Sequence, residues 1–144
     1  MTTRANILSR YRRLNPRCKR LLREASFALG LASFAVAVLP FLRAIRLAAV
    51  PLSEPKHDSS IAELRWAIEA AASRLPFRTM CIEQGIAMQR LLRQRGIDAR
   101  LHYGARSDGS VGLAAHVWVT VADHIVIGAA EARNYAEVAV FAPR

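Results

Sequence analysis

The apolar residues of the C-terminal half change from a helical to a strand spacing at Gly96, and this change limits the fold more than any other feature. Before Gly96, Thr79 is a suitable N-cap, and a stripe recurs at helical intervals in Ile82, Ile86, Met88 or Gln89, and Leu92. Gly96 itself is the residue expected just past a helix end. After it, apolar and polar residues alternate over 99–103, 113–121 and 124–127. The sequence therefore predicts an α+β fold in which one helix packs on a small antiparallel sheet.

The segments around this unit are predicted from their turn and cap residues. A polar loop is expected over 104–112 and a tight two-residue turn at 122–123. The segment 135–141 fits either a further strand or a short helix. Upstream, Ser59 or Ser60 can cap another helix, and Glu63 then lies in its first turn.

An uncharged, apolar run of eighteen residues spans 25–42 and is followed by Arg43. Its length is at the lower edge of what crosses a bilayer, so three interpretations compete. It could be a signal peptide, a transmembrane or membrane-surface helix whose flanking arginines suit an anionic leaflet, or a buried helix that packs on the second domain or on a partner protein. The buried helix is the leading interpretation and membrane contact through 25–42 is the second. Pro40 is expected to end the helix near Leu39.

The basic residues are concentrated at the N-terminus. Residues 1–48 hold ten Lys or Arg and one acid, whereas 49–144 hold eleven and ten, so the net charge of +10 belongs almost wholly to the first third. Tyr11 is the one aromatic residue among the clustered arginines, which is a weak pattern for reading bases, so no nucleic-acid partner is expected. Two prolines and three serines over 50–60 mark a linker. We expect a basic, apolar helical region over 1–55 and a folded domain over 56–144.

The two cysteines, Cys18 and Cys81, lie in segments of opposite character and do not suggest a disulfide framework. A reducing cytoplasm is then the default location, and Cys81 can remain a free thiol. The chain has no Cys-x-x-Cys or His-x-x-x-His spacing, so neither a metal site nor a cofactor is expected.

Cys81 is the candidate nucleophile. A thiol attacks only as the thiolate, which is favoured by the positive end of a helix and by a nearby protonated histidine. The backbone N–H groups at the same helix start, including that of Cys81, lack intrahelical partners and can form part of an oxyanion hole. The ordinary alternative is a small buried core residue, which is the commonest fate of a lone cysteine.

His116 is the candidate general base. It shares one strand face with Trp118 and Thr120, while Val117 and Val119 form the opposite, core face. We expect the His116 face to look toward the Cys81 end of the helix, where the indole would shield the imidazole from water. The alternative is a strand histidine that is satisfied by a backbone carbonyl.

A third residue should orient the His116 imidazole. With a two-residue turn at 122–123, His116 pairs across from about Ala129, which puts Glu131 two positions away on the same face. Glu131 is therefore the first choice, against the alternative of an exposed surface acid. Asp123 is the second choice, and is otherwise only a turn former.

These residues resemble a known family. The run Thr79–Leu101, together with Tyr103-Gly104, Ala115-His116-Val117-Trp118-Val119 and Val126-Ile127-Gly128, is similar to the transglutaminase-like cysteine peptidases of lasso peptide biosynthesis, the protease half of the split B protein. The resemblance covers about residues 61–141, and the family carries a similar basic, apolar N-terminal region. It implies a transglutaminase-like cysteine peptidase core with an N-terminal helical extension. Carried over to this sequence, it makes Cys81 the nucleophile and His116 the general base, with Glu131 where the family has an aspartate.

The resemblance also implies a function and partners. The protein would remove the leader from a ribosomally made precursor peptide, guided by a separate leader-recognition protein, and would pass the core to an ATP-dependent lasso cyclase. Water would resolve the thioester, although an amine acceptor, as in a transglutaminase, stays open. The rival hypothesis is a non-catalytic membrane-associated or scaffold protein, in which residues 1–48 act and the C-terminal domain is a degenerate peptidase fold.

Overall fold

A computed structural model describes residues 3–76, 79–107, 109 and 112–142. Its helices are α1 (Thr3–Arg12), α2 (Pro16–Val38), α3 (Phe41–Arg46), α4 (Ile61–Ala72), α5 (Cys81–Arg93) and α6 (Ala129–Ala132). Its strands are β1 (Ala99–Ser107), β2 (Leu113–Val121), β3 (His124–Ile127) and β4 (Ala136–Phe141). Helices beside one small antiparallel sheet confirm the predicted α+β class with its N-terminal helices.

The four strands form one antiparallel sheet in the order β3-β2-β1-β4. β2 and β3 have the predicted bounds, and the turn between them uses Ala122 and Asp123 with φ of 47° and 66°. Positive φ at both positions matches the twist of the flanking strands, although neither residue is glycine. The closing segment is a strand, one of the two predicted options.

The extent of β1 differs from the prediction. The strand continues to Ser107, because β2 on one side and β4 on the other pair with it beyond Tyr103 and satisfy its backbone groups. The expected loop start at Gly104 was therefore wrong. Residues 108 and 110–111 of that loop lie outside the described residues.

α2 is long and apolar enough to cross a membrane by length and composition, with a mean hydropathy of 1.6 over its apolar window. Its inner face nevertheless belongs to the protein core and packs against α4 and α5. The buried residues of that face are Leu21, Leu22, Ala25, Ala28, Leu29, Ala32 and Ala35. This packing agrees with the leading interpretation of the apolar run. α2 ends at Val38, just before Pro40, as predicted.

Helix α5 approaches the sheet closely at Gly85. We call Leu101, Val117 and Val119 the valine face of the sheet. A Cβ built on Gly85 would lie 2.5 Å from Val117 Cγ1 and 3.5 Å from Leu101 Cδ1, so the approach needs a residue without a side chain. The same hydrophobic core continues to α2 through Leu29. The expected boundary near residue 55 therefore falls in a linker between two segments that share one core.

Gln89 ties α5 to the sheet from inside this core. Its side-chain amide donates to the backbone oxygens of Ala99 at 3.0 Å and of Phe141 at 2.7 Å. The amide thereby supplies donors at the start of β1 and the end of β4. The sequence pattern allowed either Met88 or Gln89 in the buried stripe, and both side chains are fully buried.

A charged cluster joins α2, the linker and the end of α5. The Arg95 guanidinium, 5% exposed, pairs with Glu24 and with Asp58, and Arg20 also reaches Asp58 at 3.3 Å. Burial alone would raise the pKa of Asp58, but the Ser59 hydroxyl bond and the charges of Arg95 and Arg20 outweigh it. Together they hold the pKa of Asp58 below its ordinary value.

Candidate active site

The start of α5 differs by one residue from the prediction. Met80, not Thr79, is the N-cap, so Cys81 is the first helical residue and not the second. The Glu83 carboxylate accepts the Met80 N–H at 3.0 Å, which makes a capping bond from within the first turn. Cap preferences favour residues whose own side chain carries the accepting oxygen. Met80 has no such oxygen, so Thr79 was predicted instead.

Cys81 combines a free thiol with backbone donors at the positive end of a 13-residue helix. The thiol is partly exposed. The first intrahelical bond runs from the Gln84 N–H to the Met80 carbonyl, so the N–H groups of residues 81–83 have no backbone acceptor within the helix. Cys81 and these N–H groups therefore lie at one helix end, and their roles as nucleophile and oxyanion donors stay predictions.

His116 is buried and engaged by a backbone carbonyl. Its Nε2 lies 2.9 Å from the Gly128 carbonyl oxygen, and its side chain is 8% exposed. Because a carbonyl oxygen can only accept, Nε2 carries the proton and Nδ1 is the basic nitrogen of the neutral ring. Nδ1 in turn lies 4.0 Å from Glu131 Oε2. The nitrogen that would accept a proton in catalysis thus faces a carboxylate.

Two aromatic rings lie beside the His116 imidazole. Trp118 stacks with it at 6.1 Å between centroids and 22° between planes, and Tyr135 lies 5.2 Å away at 30°. The Arg106 guanidinium lies over the Tyr135 ring, 4.9 Å from its centroid. The predicted shielding of the imidazole by Trp118 is confirmed, and Tyr135 is an addition that the sequence analysis missed.

The structure places α5 and the His116 side chain on opposite faces of the sheet. α5 packs on the valine face at Gly85, whereas His116 stacks with Trp118 on the other face, which we call the histidine face. The expectation that His116 looks toward the Cys81 helix end is therefore wrong. Residues 116–120 are all buried, so hydrophobic alternation did not show which face meets the helix. Among the described residues, no hydrogen bond joins the Cys81 thiol to His116.

Glu131 lies beside His116, but by a different route from the one predicted. β3 ends at Ile127, Gly128 takes a φ of 84°, and Glu131 belongs to the short helix α6 and not to a continued hairpin strand. Its side chain is 65% exposed, so the contact with Nδ1 has the character of a surface ion pair that forms when His116 is protonated. Its catalytic role stays a prediction.

Asp123 occupies the turn between β2 and β3 and lies at the far end of β2 from His116. It borders a cavity of about 340 Å³ together with Arg100 and Thr120. The structure therefore brings Glu131, the first choice, closer to the imidazole than Asp123.

A second histidine on the same face escaped the sequence analysis. His102 Nδ1 lies 2.6 Å from Glu137 Oε2 and its Nε2 lies 2.7 Å from Thr120 Oγ1, so both ring nitrogens are engaged. Its ring also stacks on Trp118 at 5.5 Å and 6°. The alternation of β1 placed His102 on a strand, but only the register with β2 could show that it faces Trp118.

The chain is thus an α+β protein in which a free cysteine begins a helix packed on an antiparallel sheet, and a buried histidine lies on that sheet. The family comparison identifies the group. Residues 21–140 match the Transglutaminase-like superfamily, and the chain belongs to it. This superfamily includes cysteine peptidases. The match begins at residue 21, inside α2, so it includes most of the helix that shares the core. No curated protein and no solved structure matched the chain.

Proposed function

We propose that the protein is a cysteine-type peptide hydrolase in which Cys81 is the nucleophile and His116 the general acid and base. The observation that carries this proposal is the position of Cys81, a free and partly exposed thiol on the first residue of α5. The N–H groups of this first turn, which have no backbone acceptor within the helix, suit the oxyanion of a tetrahedral intermediate. Membership of the superfamily supports acyl transfer through a thiol.

The reaction then has two steps. The Cys81 thiolate attacks a peptide carbonyl, and the C–N bond breaks as protonated His116 gives its proton to the leaving amine, which leaves a thioester on Cys81. Neutral His116 next takes a proton from water, whose oxygen attacks the thioester. The tetrahedral intermediate expels the Cys81 thiolate as its C–S bond breaks, which restores the thiolate and protonated His116 and releases a carboxylic acid.

This mechanism requires His116 to change partners. The imidazole must release the Gly128 carbonyl and approach the thiol when a peptide or a partner protein binds. Catalytic contacts often tighten only with substrate, and the change required here is larger, because His116 starts from the sheet face opposite α5.

We infer that the substrate is the leader of a lasso peptide precursor. Support comes from the sequence resemblance over about residues 61–141, in particular the runs around Cys81 and His116. A separate leader-recognition protein would present the precursor, and a lasso cyclase would receive the core. In this proposal the enzyme works in the cytoplasm.

A reconstituted cleavage reaction tests the proposal. The precursor and the leader-recognition protein are incubated with wild type or with Cys81→Ala, and the products are weighed by mass spectrometry. Cys81→Ala should abolish cleavage, whereas Cys18→Ala, the matched change at the other free cysteine, should retain it. The mass of the product separates hydrolysis from transfer to an amine. Full cleavage by Cys81→Ala would exclude Cys81 as the nucleophile.

One observation favours the second candidate, a non-catalytic scaffold with a degenerate peptidase fold. His116 is already satisfied by the Gly128 carbonyl on the sheet face opposite α5. Thiol alkylation against pH, measured in a Cys18→Ser background, separates the two. If Cys81 is alkylated slowly and the alkylation rate rises with a midpoint at about pH 8.5, its thiol is unactivated, which supports the scaffold.

A further inference from the structure

Helices α2 and α3 carry an exposed apolar stripe on the side that faces away from the core. Its exposed fractions are 73% for Phe27, 66% for Phe34, 57% for Val38 and 58% for Leu42. The first three recur at intervals of seven and four residues, which places them along one side of α2. Large aromatic side chains left this open form a contiguous patch, which in soluble proteins marks an interaction surface.

The stripe is bordered by positive charge at both ends. Arg23 precedes it, and Arg43 and Arg46 follow it, all of them exposed. Phe27 also borders a cavity of about 470 Å³ whose lining carries both signs of charge, so the positive border of the stripe consists of the three arginines. An apolar centre with cationic flanks is complementary to the interface of an anionic bilayer, where rings enter the acyl boundary and guanidinium groups meet lipid phosphates.

We propose that this stripe docks the protein on an anionic lipid surface, with α2 lying in the membrane plane. A transmembrane α2 would have to withdraw its buried inner face from α4 and α5, and would so open the core of the protein. The α2 part of the stripe has no groove at its centre: a Cβ on Gly30, beside Phe27 and Phe34, would meet nothing within 4 Å. Partner helices seat in grooves, whereas a bilayer needs none. The inference does not depend on the proposed peptidase activity.

Vesicle flotation with the full chain tests the apolar part. The protein should float with phosphatidylcholine–phosphatidylserine vesicles, and Phe27→Ser with Phe34→Ser should weaken partitioning by at least about tenfold, since two phenyl groups leave the bilayer. The matched control is Leu113→Ser with Val138→Ser, which removes apolar side chains that are 79% and 63% exposed on the sheet. It should float like wild type. Circular dichroism verifies that each variant is folded.

A second experiment tests the arginines that border the stripe. Arg43→Gln with Arg46→Gln should weaken partitioning on phosphatidylserine-containing vesicles by about fivefold per arginine and leave binding to pure phosphatidylcholine unchanged. Arg65→Gln, an exposed arginine on α4, is the control. If binding is equal for the arginine variant and the control, the anionic headgroup is not recognised.

Further measurements test how deeply the stripe inserts into the bilayer and whether it binds a second copy of the protein instead. Phe34→Trp should show a blue-shifted emission with vesicles and be quenched by lipids brominated at shallow acyl positions, and alkaline washing should release the protein. Failure to float, or resistance to alkaline extraction, overturns the in-plane proposal. So does a wild-type dimer that the phenylalanine variant splits without any change in flotation, because the stripe would then bind a second copy.

Discussion

At Gly85, hydrogen is the largest side chain that fits between α5 and the valine face. Gly85→Ala should lower the free energy of unfolding by about 1–3 kcal/mol, because the new methyl would meet Val117 Cγ1 at 2.5 Å and force α5 or the sheet to shift. The result runs against helix propensity, which favours alanine. Urea unfolding of the purified protein measures it.

Gly30→Ala is the matched control in a second helix. A Cβ there meets nothing within 4 Å, so only the propensity gain of about 0.5–1 kcal/mol remains and the variant should be more stable. If both variants shift stability in the same direction, α5 and the sheet do not approach as described.

The contact between Glu131 and His116 can be tested in the cleavage reaction. Glu131→Gln should lower kcat less than His116→Ala does, because the carboxylate is exposed and lies 4.0 Å from Nδ1, whereas losing a general base costs roughly 10²–10⁴-fold. Its effect should depend on pH, since the ion pair exists only with protonated His116. Asp123→Asn is the control and should leave kcat unchanged. The reverse order of the two carboxylate variants would make Asp123 the third residue.

Among the elements, the β2–β3 turn stores a local conformational cost. Ala122 has a φ of 47°, a left-handed conformation that costs a residue with a Cβ roughly 1–2 kcal/mol. Ala122→Gly should therefore raise the melting temperature, with a gain of about 1 kcal/mol. Ala130→Gly, in the short helix α6, should lower it. A lower melting temperature for Ala122→Gly in differential scanning fluorimetry would contradict the turn geometry.

Strands were easier to predict from this sequence than the faces they present. Period-2 alternation and the turn residues predicted the bounds of β2 and β3. Pro40 predicted the end of α2, and Ser60 the start of α4. All these signals act within a few residues. The side of β2 that meets α5 depended on Gly85, a residue whose closeness to Val117 no local pattern reveals. α6 was missed because four residues carry no helical period.

The candidate site divides in the same way. The helix-start position of Cys81 followed from local signals, to within one residue. The neighbours of His116 did not, because Gly128 and Tyr135 reach it only after the chain turns out of β3. Long-range packing of this kind lies beyond periodicity and cap preference.

At the scale of the whole molecule, the Arg95 cluster links the N-terminal helices to the rest of the core. The folded pKa of Asp58 lies below its ordinary value of 3.8, so the ionised carboxylate contributes stability that is fully present above that value. The contribution is lost as the pH falls through the lower, folded pKa. Asp58→Asn should therefore melt a few degrees below wild type at neutral pH, and the difference should shrink below pH 3.8.

Glu54→Gln is the matched control for this prediction. Glu54 is an exposed carboxylate of the same linker, and its loss should leave the melting temperature unchanged across the pH range. A difference between Asp58→Asn and wild type that grows on acidification would contradict the assigned direction of the Asp58 pKa.

Cys81 should form an acyl-enzyme, and intact-protein mass spectrometry after rapid quenching tests this most directly. With a peptide thioester drawn from the precursor leader, wild type and Cys18→Ala should gain the mass of the acyl group and lose it again on further incubation. Peptide mapping should place the adduct on Cys81. An adduct that persists unchanged in Cys81→Ala, or that maps to Cys18, would contradict the account.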